Sequence, residues 1–162
     1  MSKTLLLVRH AKAEFDSPYG DHERCLTGKG EHAAKKLGKR VSAYVERVDL
    51  ALVSSAQRTQ QTYALLSERL TVAQARVDEA IYFAGVGDIL DIVRELPEEA
   101  QCVILVGHEP TISGAGRALA EPCPAAAAIA FGVPTGTALL LSAEGTWADF
   151  AGAQLTVIEH GA

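Results

Sequence analysis

The amino-terminal stretch Leu5-Leu6-Leu7-Val8-Arg9-His10 constrains the fold more than any other part of the chain. Four apolar residues in a row are typical of a strand buried on both faces or of a piece of buried helix. Because only a few residues precede the run, we interpret it as a strand. A strand covered on both faces predicts a parallel sheet between helical layers, and ligands bind beyond the carboxyl ends of such strands. Arg9 and His10 lie at that end.

Two further apolar runs, at residues 50–53 and 102–106, predict two more buried strands, and each is followed by polar residues. Ser54 and Ser55 end the second strand and lead into a predicted helix with Arg58 in its first turn. Gly107 and His108 follow the third strand. If these strands are parallel, Arg9, His10, Arg58 and His108 gather along one edge of the sheet.

The segments between and after these strands complete the predicted architecture. Thr27 is a good N-cap for a helix over residues 27–45, in which Tyr44 belongs to the buried stripe. Residues 78–87 are interpreted as a loop, and residues 89–96 as an amphipathic helix stopped by Pro97. Short strands are predicted at residues 75–77, 129–133, 137–141, 147–151 and 155–158. Strands that alternate with helices and then dominate the end predict an α/β fold: a three-layer α/β/α sandwich with a mostly parallel mixed central sheet, no lid domain, and one domain over residues 1–162.

The composition narrows the possible partners and compartment. A chain of 162 residues with a net charge of −5 lacks the positive field that would attract nucleic acid or an anionic membrane surface. Cys25, Cys102 and Cys123 form an odd, sparse set without a CxxC pair, which argues against a zinc site or a disulfide framework. With no apolar run of membrane-spanning length and no room for a signal peptide before the first strand, we expect a cytoplasmic protein.

The predicted group of two arginines and two histidines favours a phosphate site over a metal site. Two guanidinium groups repel a cation, whereas each planar guanidinium matches two phosphoryl oxygens. Arg58 would also lie at a helix amino end, where free N–H groups attract anions. A neutral histidine in such a site can attack phosphorus, and a protonated histidine can stabilise the equatorial oxygens.

Four segments in order along the chain then carry a family resemblance. The chain resembles the histidine phosphatase superfamily, formerly called the phosphoglycerate-mutase-like family. Its short length is similar to that of members of one branch, the SixA-type phosphohistidine phosphatases. The segments are Arg9-His10-Ala11, Asp21-His22-Glu23-Arg24-Cys25-Leu26-Thr27-Gly28-Lys29-Gly30, Ser54-Ser55-Ala56-Gln57-Arg58-Thr59-Gln60-Gln61-Thr62 and Val106-Gly107-His108-Glu109-Pro110. The chain departs from the branch at Cys25, where proline is usual.

The resemblance implies a role for each site residue. His10 would be the phosphorylated nucleophile, and Arg9, Arg58 and His108 would complete the phosphate pocket. Glu79 lies roughly where larger relatives carry the glutamate that donates a proton, although a basic phosphoramidate leaving group lessens that need. Arg24 either contacts phosphate from the loop or pairs with Asp21 or Glu23.

The resemblance implies an enzyme that needs no metal or cofactor and hydrolyses phosphohistidine on a protein through phospho-His10. Two alternatives stay open: a broad-specificity phosphomonoesterase of small metabolites on the same site, and a non-catalytic module that binds phosphorylated ligands. The expected partners are therefore a phosphorylated protein or a small phosphorylated metabolite, bound by a monomer in an open cleft.

Overall fold

A computed structural model describes residues 1–161 and shows a central sheet with helices packed on both of its faces. The strands are β1 (Ser2–Arg9), β2 (Arg47–Val48), β3 (Leu50–Ser54), β4 (Thr71–Val72), β5 (Ala75–Asp78), β6 (Cys102–Gly107), β7 (Thr137–Glu144) and β8 (Gln154–Glu159). The α-helices are α1 (Gly28–Val41), α2 (Gln57–Leu66), α3 (Glu79–Phe83), α4 (Val86–Arg94), α5 (Thr111–Leu119) and α6 (Pro124–Ala128). None of these helices has the length and apolar character needed to cross a membrane.

The six-stranded sheet has the order β5-β3-β6-β1-β7-β8, and the short strands β2 and β4 pair separately. β1 is parallel to β6, β6 to β3, and β3 to β5, whereas β7 is antiparallel to both β1 and β8. Only β7 of these six strands therefore runs against the rest. The chain belongs to the predicted class, a three-layer α/β/α fold with a mostly parallel mixed sheet.

The run of four apolar residues in β1 supplies both faces of the sheet, because side chains alternate along a strand. Leu5 and Leu7 pack with residues of α3, α4 and α5 on one face. Leu6 and Val8 pack with residues of α1 and α2 on the other. All four side chains are fully buried, and each contributes roughly 1.5–3 kcal/mol to folding. The strand that ends in Arg9 is thus held in the core from both faces of the sheet.

The start of α1 fastens the segment that follows His10. Thr27 is the N-cap, as predicted: its hydroxyl accepts the Gly30 N–H at 3.0 Å, and its own N–H donates to the Lys12 carbonyl at 3.0 Å. A Cβ on Gly30 would lie 1.9 Å from that Lys12 oxygen. Any residue other than glycine at position 30 would therefore push the segment away from α1.

Two predictions for the first half of the chain are wrong in part. α1 ends at Val41 rather than at residue 45, because the chain turns there to reach β2, and Tyr44 is 57% exposed. The predicted loop at residues 78–87 contains the short helix α3, whose N-cap Asp78 accepts the Ala80 N–H at 2.9 Å. Apolar Ile81 is the buried residue of that helix.

Two predicted strands in the second half are also wrong. Residues 129–133 form a turn after α6, and residues 147–151 form another turn. The apolar residues there are buried nonetheless: Ile129 and Val133 belong to the main core, and the rings of Trp147 and Phe150 pack 5.0 Å apart. Burial without strand pairing therefore produced the apolar pattern. The strands predicted near residues 75, 137 and 155 are present as β5, β7 and β8.

Candidate active site

The carboxyl ends of three neighbouring strands bring the predicted residues together. In the pairing of β1 with β6, Arg9 lies opposite Gly107, so His10 and His108 leave adjacent strands at the same level. Their ring centroids are 5.5 Å apart. Ser54 ends β3, on the far side of β6 from β1, and leads into α2. The shared edge predicted for the parallel strands is thus present.

His10 is held in one tautomer. Its Nδ1 lies 2.7 Å from the Ala11 carbonyl oxygen, which can only accept, so Nδ1 carries the proton and Nε2 keeps its lone pair. The Ala11 N–H donates to Thr62 Oγ1 at 3.0 Å, which anchors this peptide to α2. Burial lowers the pKa of His10 to about 4, and the positive charges of Arg58 and Arg9 act in the same direction. The ring is therefore neutral at neutral pH, as a nucleophile must be.

His108 is held from the neighbouring strand. Its Nε2 lies 2.7 Å from Ser54 Oγ, and this oxygen already accepts the Ala56 N–H at 3.4 Å. Because a hydroxyl group can both donate and accept, this hydrogen bond fits either tautomer of His108, and it fixes the position of the ring. Burial lowers the pKa of His108 to about 3, with Arg58 and His10 as further causes. An anion bound beside this ring would raise its pKa again.

Arg58 lies in the first turn of α2 and is only 5% exposed. It donates from Nη1 to the Asp21 carbonyl oxygen at 2.8 Å and from Nη2 to the Asp21 carboxylate at 3.1 Å. Its Nε is buried and has no partner within residues 1–161. The guanidinium is thus oriented by Asp21 while one N–H stays available.

Arg9 is oriented from the other side of the site. Its Nη1 donates to the Val133 carbonyl oxygen at 2.6 Å. Burial lowers the pKa of Arg9, and the nearby Glu109 carboxylate opposes that change. Its Nε, like that of Arg58, is buried without a partner in the described chain.

Unpartnered buried atoms concentrate at this edge of the sheet. Residues 1–161 contain five buried side-chain nitrogen or oxygen atoms without a hydrogen-bond partner, and three of them are Arg9 Nε, Arg58 Nε and His108 Nδ1. Such orphaned groups are rare in folded proteins because each costs about 1–3 kcal/mol. The two arginine Nε atoms are N–H donors, and His108 Nδ1 is a donor whenever it carries the ring proton, so the partner that fits them is an anion with several oxygens, such as phosphate.

Asp21 and Tyr82 belong to the site, although no role was predicted for Tyr82, and Asp21 was predicted only as a possible partner of Arg24. The Asp21 carboxylate accepts the Tyr82 hydroxyl at 2.6 Å and Arg24 Nε at 2.9 Å, in addition to Arg58. These hydrogen bonds, that of Tyr82 first, hold the pKa of Asp21 well below its usual range. The Tyr82 ring also packs edge-on against His108, with centroids 5.6 Å apart. The position of Asp21, three residues before Arg24, was the available signal for it.

Arg24 and Glu79 are the two less central predictions. Arg24 pairs with Asp21, one of the partners proposed for it, and its Nη1 donates to the Glu14 carbonyl oxygen at 2.9 Å. Its charge still contributes to the lowered pKa of both site histidines, which places it near the pocket. Glu79 is exposed at the first position of α3 and lies one helical turn before Tyr82. Its predicted role as proton donor stays a prediction.

A groove of about 1150 Å³ begins at Arg9 and runs along α5. Its walls include Glu109, Ser113, Arg117 and the fully exposed ring of Phe131. Within residues 1–161, no group of three or more histidine, cysteine, aspartate or glutamate side chains is arranged to hold a metal ion. The groove therefore lies beside the site, and Arg9 belongs to both.

The chain matches the family model of the histidine phosphatase superfamily (branch 1) over residues 5–88. This chain belongs to the histidine phosphatase superfamily. The matched part includes the strand that ends in Arg9 and His10 and the helix that carries Arg58. An uncharacterized protein of Mycobacterium tuberculosis is 32% identical to this histidine phosphatase over 146 residues, which cover 88% of this chain and 90% of the relative.

Solved structures place this histidine phosphatase in the SixA-type branch. SixA of Nakamurella multipartitia is 34% identical, with a TM-score of 0.85 over 99% of this chain and 96% of that one. SixA of Agrobacterium tumefaciens is 27% identical, with a TM-score of 0.77 over 95% of each chain. Family and fold together make the chain a phosphatase, which confirms the coarse activity predicted from the motifs.

Proposed function

We propose that this protein hydrolyses phosphohistidine on another protein through a covalent phospho-His10 intermediate. The observation that carries the proposal is the set of three buried nitrogens of Arg9, Arg58 and His108 that have no partner in residues 1–161, beside a neutral His10. The relatives from Nakamurella multipartitia and Agrobacterium tumefaciens are named, provisionally, as phosphohistidine phosphatases. Their names support this substrate class for the present chain.

The proposed reaction has two steps. The lone pair of His10 Nε2 attacks phosphorus, the P–N bond to the substrate imidazole breaks, and the departing nitrogen takes up a proton. Water then attacks phospho-His10, the new P–N bond breaks, and inorganic phosphate leaves. Arg9, Arg58 and protonated His108 would stabilise the charge on the equatorial oxygens in both steps. Glu79 stays the candidate proton donor, although the basic leaving nitrogen lessens the need for one.

Exposed aromatic side chains around the pocket favour a protein substrate. Phe15 and Tyr19 lie in the segment that follows His10, and both are more than four-fifths exposed. Phe83 packs against the Tyr82 ring at 4.9 Å, and Phe131 lines the groove beside Arg9. Water-exposed rings that surround a binding site are typical of a surface that contacts another macromolecule. A small phosphorylated metabolite would leave most of these rings uncovered.

The substrate class can be tested with one rim variant and two substrates. We expect Phe131→Ser to lower kcat/KM for a phosphohistidine protein about tenfold, because one aromatic contact is lost. The same variant should leave turnover of a small aryl phosphate within about twofold of wild type. Tyr44→Ser serves as the control, since Tyr44 is also exposed but lies beside the starts of β1 and β6, at the opposite edge of the sheet.

Two outcomes would favour the small-metabolite alternative. One is a wild-type kcat/KM for small phosphate esters that equals or exceeds the value for the phosphohistidine protein. The other is an equal loss on both substrates in the Phe131 variant. Tight phosphate binding without turnover of either substrate would instead favour the non-catalytic module.

A further inference from the structure

Glu109 directly follows His108, and its carboxylate accepts three hydrogen bonds. Its Oε1 accepts the Ser113 N–H at 2.7 Å, and its Oε2 accepts the Ser113 hydroxyl at 2.7 Å and the Val133 N–H at 3.0 Å. Ser113 and Val133 are both buried. The carboxylate therefore fastens the start of α5 to the turn between α6 and β7.

The turn that Glu109 holds is the same turn that orients Arg9. The Val133 N–H donates to Glu109, and the Val133 carbonyl accepts Arg9 Nη1 at 2.6 Å. Three residues later, the Gly136 N–H donates to the His10 carbonyl at 2.9 Å. Val133 is thus hydrogen-bonded on both sides of its α-carbon, and it links the Glu109 carboxylate to the Arg9 guanidinium.

We propose that Glu109 is a positioning residue that acts on the phosphate through Val133 and Arg9. The inference rests on the proposed role of Arg9 in phosphate binding. It assigns to Glu109 an effect opposite to the one its charge alone would have. As a plain counter-ion beside Arg9, the carboxylate would weaken anion binding, and its removal would strengthen it. If Glu109 is a positioning residue, its loss would let the Arg9 guanidinium move out of place and would weaken anion binding.

The substitution Glu109→Gln separates these two effects. Glutamine keeps the size of the side chain but replaces one acceptor oxygen with an NH₂ group, which must face one of the three donors. We expect the inhibition constant of vanadate, measured against a small aryl phosphate, to rise about tenfold. KM should rise by a similar factor, with a smaller change in kcat. Ser113→Ala, which removes one of the three hydrogen bonds, should raise the same constant two- to threefold.

A double-mutant cycle shows whether the effect passes through Arg9. If it does, Glu109→Gln should not change vanadate inhibition in an Arg9→Ala background. Glu98→Gln is a matched structural control, because the Glu98 carboxylate accepts the Trp147 N–H at 2.9 Å and the Ala148 N–H at 3.3 Å at the opposite edge of the sheet. This control should lower the melting temperature and leave vanadate inhibition unchanged.

Unchanged or tighter vanadate inhibition in Glu109→Gln would overturn the inference. Additive effects of Glu109→Gln and Arg9→Ala on the vanadate inhibition constant would overturn it as well. If Glu109→Gln does not fold, an unchanged constant in Ser113→Ala would overturn it instead. Failure of the proposed function would give a different result, because Arg9→Ala by itself would then leave vanadate inhibition at the wild-type value.

Discussion

The two edges of the central sheet both contain buried cationic side chains, but they treat them differently. At the amino edge, Lys3 is only 4% exposed, and its ammonium donates to the Glu98 and Ala100 carbonyl oxygens beside the Glu98 carboxylate. At the carboxyl edge, Arg9 and Arg58 each keep a buried Nε–H that has no acceptor in the part of the chain that the structure describes.

The difference separates structural charge from functional charge. The Lys3 ammonium has protein acceptors, so its burial stabilises the fold without a ligand. The arginines of the site have partners for some of their N–H groups, but their Nε–H groups find no acceptor in residues 1–161, at a cost that a bound oxyanion would remove. A buried cation is therefore informative about function only when its hydrogen-bonding capacity is incomplete.

The largest effect short of losing the nucleophile is expected at Arg58. Arg58→Ala removes a charge-assisted donor to phosphate and leaves Asp21 without its buried partner, so the inhibition constants of phosphate and vanadate should rise about 100-fold. Steady-state inhibition against an aryl phosphate measures this. Arg94→Ala removes an equal charge from the exposed last turn of α4 and should change neither constant. Unchanged inhibition in the Arg58 variant would remove this residue from the site.

The pH dependence of kcat/KM tests the state of His10. Neutral His10 is the proposed nucleophile, and burial lowers its pKa from 6.5 to about 4. The limb of the profile that His10 controls should therefore rise between about pH 3.5 and about pH 5 and be flat by about pH 6, provided that melting curves show folded protein throughout. Half-maximal activity on that limb near pH 6.5, the ordinary histidine value, would contradict the burial effect.

The smallest effect on activity is expected at the amino edge, with the main consequence in stability. Lys3→Met keeps the length of the side chain but removes the ammonium and its hydrogen bonds. The free energy of unfolding should fall by about 1–3 kcal/mol, with kcat/KM within twofold of wild type. Chemical denaturation and steady-state kinetics measure the two quantities. A loss of about 100-fold in kcat/KM, as large as the effect expected of Arg58→Ala on the inhibition constants, would remove the contrast between the edges.

Most of the architecture could be predicted because the strongest sequence signals coincide with the best-buried elements. The apolar runs that became β1, β3 and β6 are buried on both faces, so an uninterrupted pattern was enough to find them. The predicted strands at residues 129–133 and 147–151 failed because their apolar residues fill the core from turns. Local pattern reports burial more reliably than it reports hydrogen-bond pairing.

The same limit applies to the site. The sequence could predict that His10, Arg58 and His108 lie together, because each comes directly or a few residues after the end of a predicted strand. Tyr82 and the contacts of Asp21 could not, because they depend on how α3 and the segment after His10 fold over the sheet edge. The three hydrogen bonds of Glu109 join parts of the chain up to 24 residues apart, and no local pattern indicates them.

The most direct test of the account is to locate the phosphoryl group during turnover. Wild-type protein mixed with a radiolabelled phosphohistidine protein and quenched in base within milliseconds should carry label on His10, attached at Nε2 because Nδ1 donates to the Ala11 carbonyl. His10→Ala should carry no label and lose at least about 10³-fold in kcat while remaining folded. Label on another residue, or turnover near the wild-type rate in His10→Ala, would contradict the account.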